Sequence, residues 1–279
     1  METQAQSFKT IETKNLKLQV YNASENSFGV ASVLVSGKTD AVLIDAQFTL
    51  ADAEKVAQEI KASGKKLTAI FVSHGDPDFY FGLEVFKKYF PEVTAYASPA
   101  TVEHIKATAQ KKLEVWGERL GKNITSNAIL PQVLKGNSIE LEGQKLEIIG
   151  LEEFPNKTFV WIPSIKTVVG GINVFGTTFS LWMADAQTTE ARKSWISVLD
   201  KITALNPEIV IPAHANSNSP FDIAAINHTK NYIQFYEEAL KTNKTSEALI
   251  KALKAKYPTL TFEIALQIGA KVNTGEMKW

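Results

Sequence analysis

The sequence contains no cysteine in its 279 residues. This absence excludes disulfide bonds, thiolate metal ligands and a cysteine nucleophile. It does not decide the compartment, because a protein without cysteine is stable in both oxidising and reducing surroundings.

The sequence also lacks an excess of charge of either sign. Lys+Arg and Asp+Glu each total 30, so the formal net charge is zero. Nucleic acids and anionic membranes are bound through basic surfaces, and no basic stripe is present here. We therefore expect neither of them as a partner, and we expect a small-molecule substrate or ligand instead.

No apolar run approaches the roughly 18 residues that a membrane-spanning helix needs. The first ten residues, METQAQSFKT, are polar and contain no apolar segment of the kind found in signal peptides. We expect a soluble protein without a membrane partner. It would be located in the cytoplasm, or exported after removal of a signal that this chain does not contain.

Hydrophobic residues make up 44% of the chain, which is enough for a substantial core in one large domain or two small ones. Apolar stretches over 28–37 and 41–47 predict two strands, which the turn SGKTD joins in a hairpin. A second hairpin is predicted over 138–151, with Glu-Gly in its turn. Helices lie between the strands, and from Pro220 onward only helices are predicted. This mixture indicates a layered α/β (α+β) architecture.

Three of the predicted strands end at a polar side chain that can take part in chemistry. Residues 69–84 read AIFVSHGDPDFYFGLE, and the apolar strand in this stretch stops at His74. The strand EIVIPA is followed by His214, and the strand AVLI by Asp45. Ligands gather at the C-terminal ends of strands in folds of this kind, so these side chains are candidates for one site.

The order of these elements and motifs resembles the metallo-β-lactamase superfamily over residues 15 to about 215. The resemblance is carried by the hairpin ending in Leu43-Ile44-Asp45 and by the segments SHGDPDFYFG, VVGGINVFG and IPAHA. It implies a four-layer αββα sandwich over residues 1–218. Residues 219–279 then form a C-terminal helical extension packed on the sandwich.

The loop SHGDPDFYFG departs from the His-x-His-x-Asp-His motif of this family. His74 corresponds to the first histidine of the motif and Asp78 to its aspartate. Asp76 replaces the second histidine with another side chain that can bind metal. Phe79 replaces the last histidine, which would bind the second metal. The resemblance therefore implies a depleted metal site.

Other metal-binding residues of the family are also missing from this sequence. His214 corresponds to the last histidine ligand, but the position of the bridging aspartate falls near Ile172. The middle histidine is missing from IIGLEEFPN, where only Glu152 and Glu153 offer carboxylates. A normal dinuclear zinc centre is therefore not expected.

The resemblance leaves two functions open. In the first, His74, Asp76 and His214 hold one divalent metal, which is zinc, iron or manganese. Asp78 then acts as the base or orienting group for a metal-bound water, and an ester, lactone or amide-type bond is hydrolysed. In the second, no metal is bound, Phe79 keeps metal out, and the pocket binds a small ligand without catalysis.

The same segments also have purely structural interpretations. The residues GDPD are common in turns, and Asp78 is a candidate N-cap for a helix that begins near Phe79. His104 and His228 lie in predicted helices and are interpreted as surface or packing residues. The helical extension either covers the mouth of the site or forms a homodimer contact.

Overall fold

The computed structural model describes residues 8–279. Residues 1–7, which belong to the polar segment without a predicted signal peptide, lie outside the described residues. Among the described helices, none combines the length and the apolar character that crossing a membrane requires.

Seven strands form the first sheet, in the same order as in the sequence. They are β1 (Lys9–Glu12), β2 (Lys17–Asn22), β3 (Ala31–Ser36), β4 (Asp40–Ile44), β5 (Lys66–Val72), β6 (Thr94–Ala97) and β7 (Gln132–Val133). The pairs from β1 to β4 are antiparallel, whereas those from β4 to β7 are parallel. The parallel strands bring their C-terminal ends to one edge of the sheet, where ligand sites form in such folds.

Five strands form the second sheet. They are β8 (Ser138–Leu141), β9 (Gln144–Ile149), β10 (Phe159–Ile162), β11 (Thr167–Val169) and β12 (Ile209–Val210). Their spatial order is β12-β11-β10-β9-β8. β12 is parallel to β11, and the other pairs are antiparallel. β12 ends shortly before His214, so the second sheet delivers that side chain.

The alternation of side chains explains why the two sheets pack face to face. Alternate residues of β3, β4 and β5 share one buried cluster with the second sheet, and they are Val33, Val35, Val42, Ile44 and Phe71. The residues between them, such as Leu34, Leu43 and Ile70, belong to a different buried cluster that includes the helices. Successive side chains of a strand point to opposite faces, so one face meets the other sheet and one face meets helices.

The described residues contain eight α-helices. They are α1 (Leu50–Ala62), α2 (Pro77–Tyr80), α3 (Leu83–Tyr89), α4 (Pro99–Leu120), α5 (Thr189–Ala204), α6 (Ile223–Thr242), α7 (Ser246–Lys256) and α8 (Glu263–Asn273). Gln19 and Tyr21 of β2 in the first sheet donate hydrogen bonds to Glu59 and Asp52 of α1, both at 2.6 Å. Trp195 of α5 instead donates to the Asn173 carbonyl, shortly after β11 of the second sheet, at 2.9 Å. The layers therefore follow the order helix, sheet, sheet, helix, which confirms the predicted αββα sandwich.

Both predicted hairpins are confirmed as antiparallel pairs, β3 with β4 and β8 with β9. Glu142 and Gly143 form the turn of the second hairpin with φ angles of 48° and 79°. Positive φ at both central residues is typical of the tight turns that match the twist of a hairpin. The Glu142 carboxylate also accepts the backbone N–H groups of Lys38 and Asp40 at 2.7 and 2.8 Å, so the two hairpin turns are tied together.

The three C-terminal helices, α6, α7 and α8, follow the predicted helical extension. α6 contacts α5 and β12, and α7 contacts α8. The Phe175 N–H donates to Thr229 Oγ1 at 3.0 Å, and the Ser180 N–H donates to the Thr261 carbonyl at 3.1 Å. These bonds attach the helices beside the strand ends. The domain boundary after residue 218 and the homodimer contact stay predictions.

Candidate functional site

The loop after β5 lies at the C-terminal edge of the parallel strands. Asp45, directly after β4, accepts hydrogen bonds from the backbone N–H of Ser73 at 2.7 Å and from its hydroxyl at 2.6 Å. The Ser73 oxygen in turn accepts the Gly171 N–H at 2.7 Å. Burial raises the pKa of Asp45 to about 7. This chain of bonds fixes the start of the loop between the two sheets.

The motif residues then enter a short helix. α2 begins at Pro77, and Asp76 precedes it as the N-cap residue without a capping side-chain bond. Asp78 lies inside the first turn of α2, so its interpretation as the N-cap of this helix is wrong. The physical reason is Pro77, whose fixed φ suits the first helical position and starts the helix earlier.

An outer polar group surrounds His74 and Asp76, whose side chains are 17% and 22% exposed. The backbone N–H of Asp76 donates to His74 Nδ1 at 3.3 Å. A ring nitrogen that accepts carries no proton, so the neutral imidazole is protonated at Nε2. Burial lowers the pKa of His74 to about 4, and the ring is therefore neutral near pH 7.

A lysine from α4 completes the outer polar group. Lys112 Nζ lies 2.9 Å from Asp76 Oδ1 and 2.9 Å from the Gly75 carbonyl oxygen. The same nitrogen lies 3.0 Å from His104 Nε2. Burial acts to raise the pKa of the Asp76 carboxyl, but His74 and Lys112 oppose it and lower that pKa overall. The Asp76 carboxylate, which the resemblance aligns with the second histidine of the motif, is thus paired with the Lys112 ammonium.

An inner pair, His214 and Asp78, is almost completely buried, with side chains 4% and 5% exposed. His214 Nδ1 donates to the Phe28 carbonyl at 3.0 Å, because a carbonyl oxygen only accepts. His214 Nε2 remains an acceptor and faces Asp78 Oδ2 at 3.6 Å. Among residues 8–279, this carboxyl oxygen finds no hydrogen-bond partner. Burial, together with the charge of Asp76, raises the pKa of Asp78 well above its usual range.

The ring of Phe79 contacts both the outer group and the inner pair. Its centroid is 5.3 Å from that of His74 and 5.6 Å from that of His214, in edge-on contacts of 65° and 88°. Within the part of the chain that the structure describes, no hydrogen bond, ion pair or ring contact joins His74 to His214. His74 and His214 therefore both contact the phenyl ring of Phe79 and do not contact each other.

This arrangement does not fit the metal that the resemblance implies. Zinc holds its ligand atoms at about 2.0–2.2 Å, so those atoms converge closely on one point. Phe79 packs against both His74 and His214, and Asp76 already pairs with a lysine. In residues 8–279, no group of three or more His, Asp and Glu side chains is placed to hold a metal ion. The roles of His74, Asp76 and His214 as metal ligands, and of Asp78 as the catalytic group, stay predictions.

The substitute carboxylates lie away from the motif residues. Glu152 and Glu153 are both exposed, and Glu153 pairs with Lys201 of α5. Ile172, at the position of the bridging aspartate, is 8% exposed and packs in an apolar cluster. Among residues 8–279, neither glutamate forms a hydrogen bond or an ion pair with His74 or His214.

Lys112 and His104 are the site residues that sequence reasoning missed. They are eight residues apart on α4, a little more than two turns, so both lie on nearly the same face. That face approaches the loop closely, because a β-carbon on Gly75 would lie 2.6 Å from His104 Cδ2. The spacing was an available signal, but nothing along the chain indicates which loop this face meets.

Aromatic side chains lie beside the inner pair, and we call Phe28, Trp116, Trp182 and Phe262 the aromatic rim. The Phe28 ring lies at its centre, with centroid distances of 5.2 Å to Trp116, 5.9 Å to Trp182 and 5.5 Å to Phe262. Phe262 also stacks on His214 at 6.0 Å. Trp116 and Trp182 are partly exposed, so the rim has an accessible apolar surface.

The sandwich and its strand-end loop define a metallo-β-lactamase fold. The sequence profile described as "Metallo-beta-lactamase superfamily" matches residues 26–163, which supports the assignment of the chain to this superfamily. No curated protein matches the sequence.

Solved structures agree with this fold. A metallo-beta-lactamase from Pontibacter korlensis is similar with a TM-score of 0.57 at 19% identity, over 82% of this chain and 99% of that one. A metallo beta lactamase from Hirschia baltica gives a TM-score of 0.56 at 14% identity, over 81% of this chain and 98% of that one. At these identities the similarity shows the fold alone.

Proposed function

We propose that this member of the superfamily binds a small molecule beside the loop of residues 74–80 and does so without a metal centre. The position of Phe79 carries the proposal. Its ring takes the place of the last motif histidine and contacts both His74 and His214. A metal bonded to both imidazoles would have to displace this ring, which is 0% exposed.

The partners of the other candidate ligands support the same function. Asp76 is held by the Lys112 ammonium, and His74 Nδ1 already accepts the Asp76 N–H. His214 is enclosed by rings, since it stacks on Phe175 at 4.9 Å as well as on Phe262. Recruiting these side chains to one metal would break contacts that the folded chain has already formed.

The aromatic rim indicates the chemical class of the ligand. Small-molecule sites are mostly apolar and contain a few polar groups that fix orientation. Arg119 is exposed and places its guanidinium 5.6 Å from the Phe28 ring and 5.8 Å from the Trp116 ring. A planar apolar molecule with one anionic group would stack on the rim and pair with this cation.

One observation favours the second candidate, the mono-metal hydrolase. His214 Nε2 is unprotonated in the neutral ring, and the nearby Asp78 Oδ2 has no partner among the described residues. A nitrogen acceptor facing a carboxyl oxygen is a combination that a metal ion can use. Without a metal, a protonated Asp78 carboxyl would donate a hydrogen bond from Oδ2 to His214 Nε2. The raised pKa of Asp78 fits this protonated form.

Metal analysis separates the two candidates. The protein is produced with added zinc, iron and manganese, purified without chelator and analysed by mass spectrometry of its metals, beside His74→Ala. We expect far less than one equivalent in both proteins. About one equivalent in the wild type that is lost in His74→Ala would contradict the proposal and support the hydrolase.

Ligand binding is tested with 1-anilinonaphthalene-8-sulfonate, an aromatic anion of the proposed class. We expect saturable fluorescence enhancement by the folded protein, weakened in Trp182→Ala. Val115→Ala is the control, because Val115 is 55% exposed on α4 and lies outside the rim. Binding that is absent, or equal in both variants, would count against a site at the aromatic rim.

A further inference from the structure

The ammonium of Lys112 has a complete set of acceptors. The Gly75 carbonyl, Asp76 Oδ1 and His104 Nε2 lie at 2.9, 2.9 and 3.0 Å from Nζ. A lysine ammonium has three N–H donors and no acceptor, so each donor has one partner. The group is bound as a cation in a site of three converging acceptors.

The chemistry of the ammonium fixes the protonation of His104. Lys112 only donates, so His104 Nε2 must accept and the ring carries its proton on Nδ1. Burial, with the charge of Lys112, lowers the pKa of His104, which keeps the ring in this neutral form. The three acceptors therefore comprise one carboxylate, one carbonyl and one neutral imidazole, with a single formal negative charge.

The fold brings these groups together from two elements. α4 begins after Ser98, whose hydroxyl accepts the Thr101 N–H at 3.1 Å, and the helix then carries His104 and Lys112 across the loop. The Lys112 side chain is 19% exposed, so its ammonium is largely shielded from solvent. An acceptor set of this kind, half-buried and carrying a negative charge, needs a positive occupant.

We propose that Lys112 supplies an internal cation that replaces a metal ion at this loop. This inference rests on the proposed function, in which the wild-type loop works without a metal. The Gly75 carbonyl, Asp76 and His104 form the cation site, and the chain fills it with its own ammonium. Without that ammonium, the same oxygen and nitrogen acceptors would take a divalent cation such as Mn²⁺, after an inward movement of roughly 0.8 Å each.

The test compares Lys112→Met with Lys111→Met, a matched change at an exposed neighbour on the same helix. Binding of Mn²⁺ is followed by loss of the free-ion signal in electron paramagnetic resonance, and thermal unfolding is recorded with chelator and with Mn²⁺. We expect Lys112→Met to bind Mn²⁺ about tenfold or more tightly than the wild type, because a repelling charge is removed. With chelator its Tm falls by roughly 5 °C, and Mn²⁺ restores it.

Two results would overturn the internal cation. One is that Lys112→Met and Lys111→Met have the same Tm in chelator. The other is that Mn²⁺ raises the Tm of Lys112→Met by no more than it raises the Tm of the wild type. If Lys112→Met fails to fold, Lys112→Gln is measured in the same way, since it keeps an N–H donor without the charge. Metal in the wild type would instead contradict the proposed function, so the two failures are distinguishable.

Discussion

The ring of Phe79 meets the imidazole of His214 edge-on, at 5.6 Å between centroids and 88° between planes. The same ring also meets His74 edge-on, at 5.3 Å between centroids and 65° between planes. On the motif correspondence predicted from the sequence, two histidines of a metal-binding motif are present and Phe79 stands at the position of a third. In the folded chain, Phe79 and the two imidazoles form a packed aromatic junction.

Phe79→Ala tests how much this junction contributes to stability. Phe79 is 0% exposed and belongs to the main hydrophobic cluster. Removing a buried phenyl ring leaves a cavity, and we expect a loss of about 3–5 kcal/mol in the free energy of unfolding. The loss is measured by urea unfolding. Phe90→Ala, at a residue that is only partly buried, should cost clearly less. Equal losses in the two variants would show that Phe79 is not a central packing residue.

Ser73→Ala tests the bonds that hold the loop between the sheets. The Ser73 hydroxyl donates to Asp45 and accepts the Gly171 N–H, so its removal leaves two buried polar groups unpaired. We expect a loss of about 1–3 kcal/mol, measured by urea unfolding at pH 7. Ser36→Ala is the control, because the buried Ser36 hydroxyl has no hydrogen-bond partner among the described residues. That change should leave stability unchanged or raise it, and a larger loss than for Ser73→Ala would contradict the account.

Much of the fold could be predicted from the sequence because local sequence patterns specify its strands and turns. The Glu-Gly turn of the second hairpin was predicted, and Glu142 and Gly143 do form it with positive φ angles. This turn and the apolar stretches that became β3 and β4 depend only on neighbours along the chain. Such features are set by backbone preference and by the pleat, which need no knowledge of distant residues.

The site was less predictable, because its decisive contacts join distant residues. Lys112 is 36 positions from Asp76, and no local pattern relates them. Phe79 was interpreted as a replacement for histidine, but its contact with His214 forms only when the second sheet brings that residue to the loop. The start of α2 at Pro77 was also missed, since the turn chemistry of GDPD competes with the preference of proline for a first helical turn.

His228 provides a test of pH dependence. Its Nε2 donates to the Phe179 carbonyl at 2.9 Å, and burial lowers its pKa below the ordinary value. Below about pH 6.5, His228 is protonated in the unfolded chain but remains neutral in the folded chain. The free energy of unfolding therefore decreases as the pH falls. In His228→Gln, which keeps an N–H donor but does not titrate, the fall between pH 7.5 and 5.5 should be smaller. Urea midpoints at these pH values measure it, and an unchanged fall would exclude His228 as a contributor.

In the proposed function, Phe79 keeps His74 and His214 from sharing a metal. This is tested by anomalous scattering from crystals of the wild-type protein soaked in MnCl₂ or ZnCl₂. We expect no anomalous peak bonded to both imidazoles, and we expect the Phe79 ring to stay in contact with both. A peak at about 2.0–2.2 Å from a nitrogen of each histidine, with the Phe79 ring displaced, would contradict it.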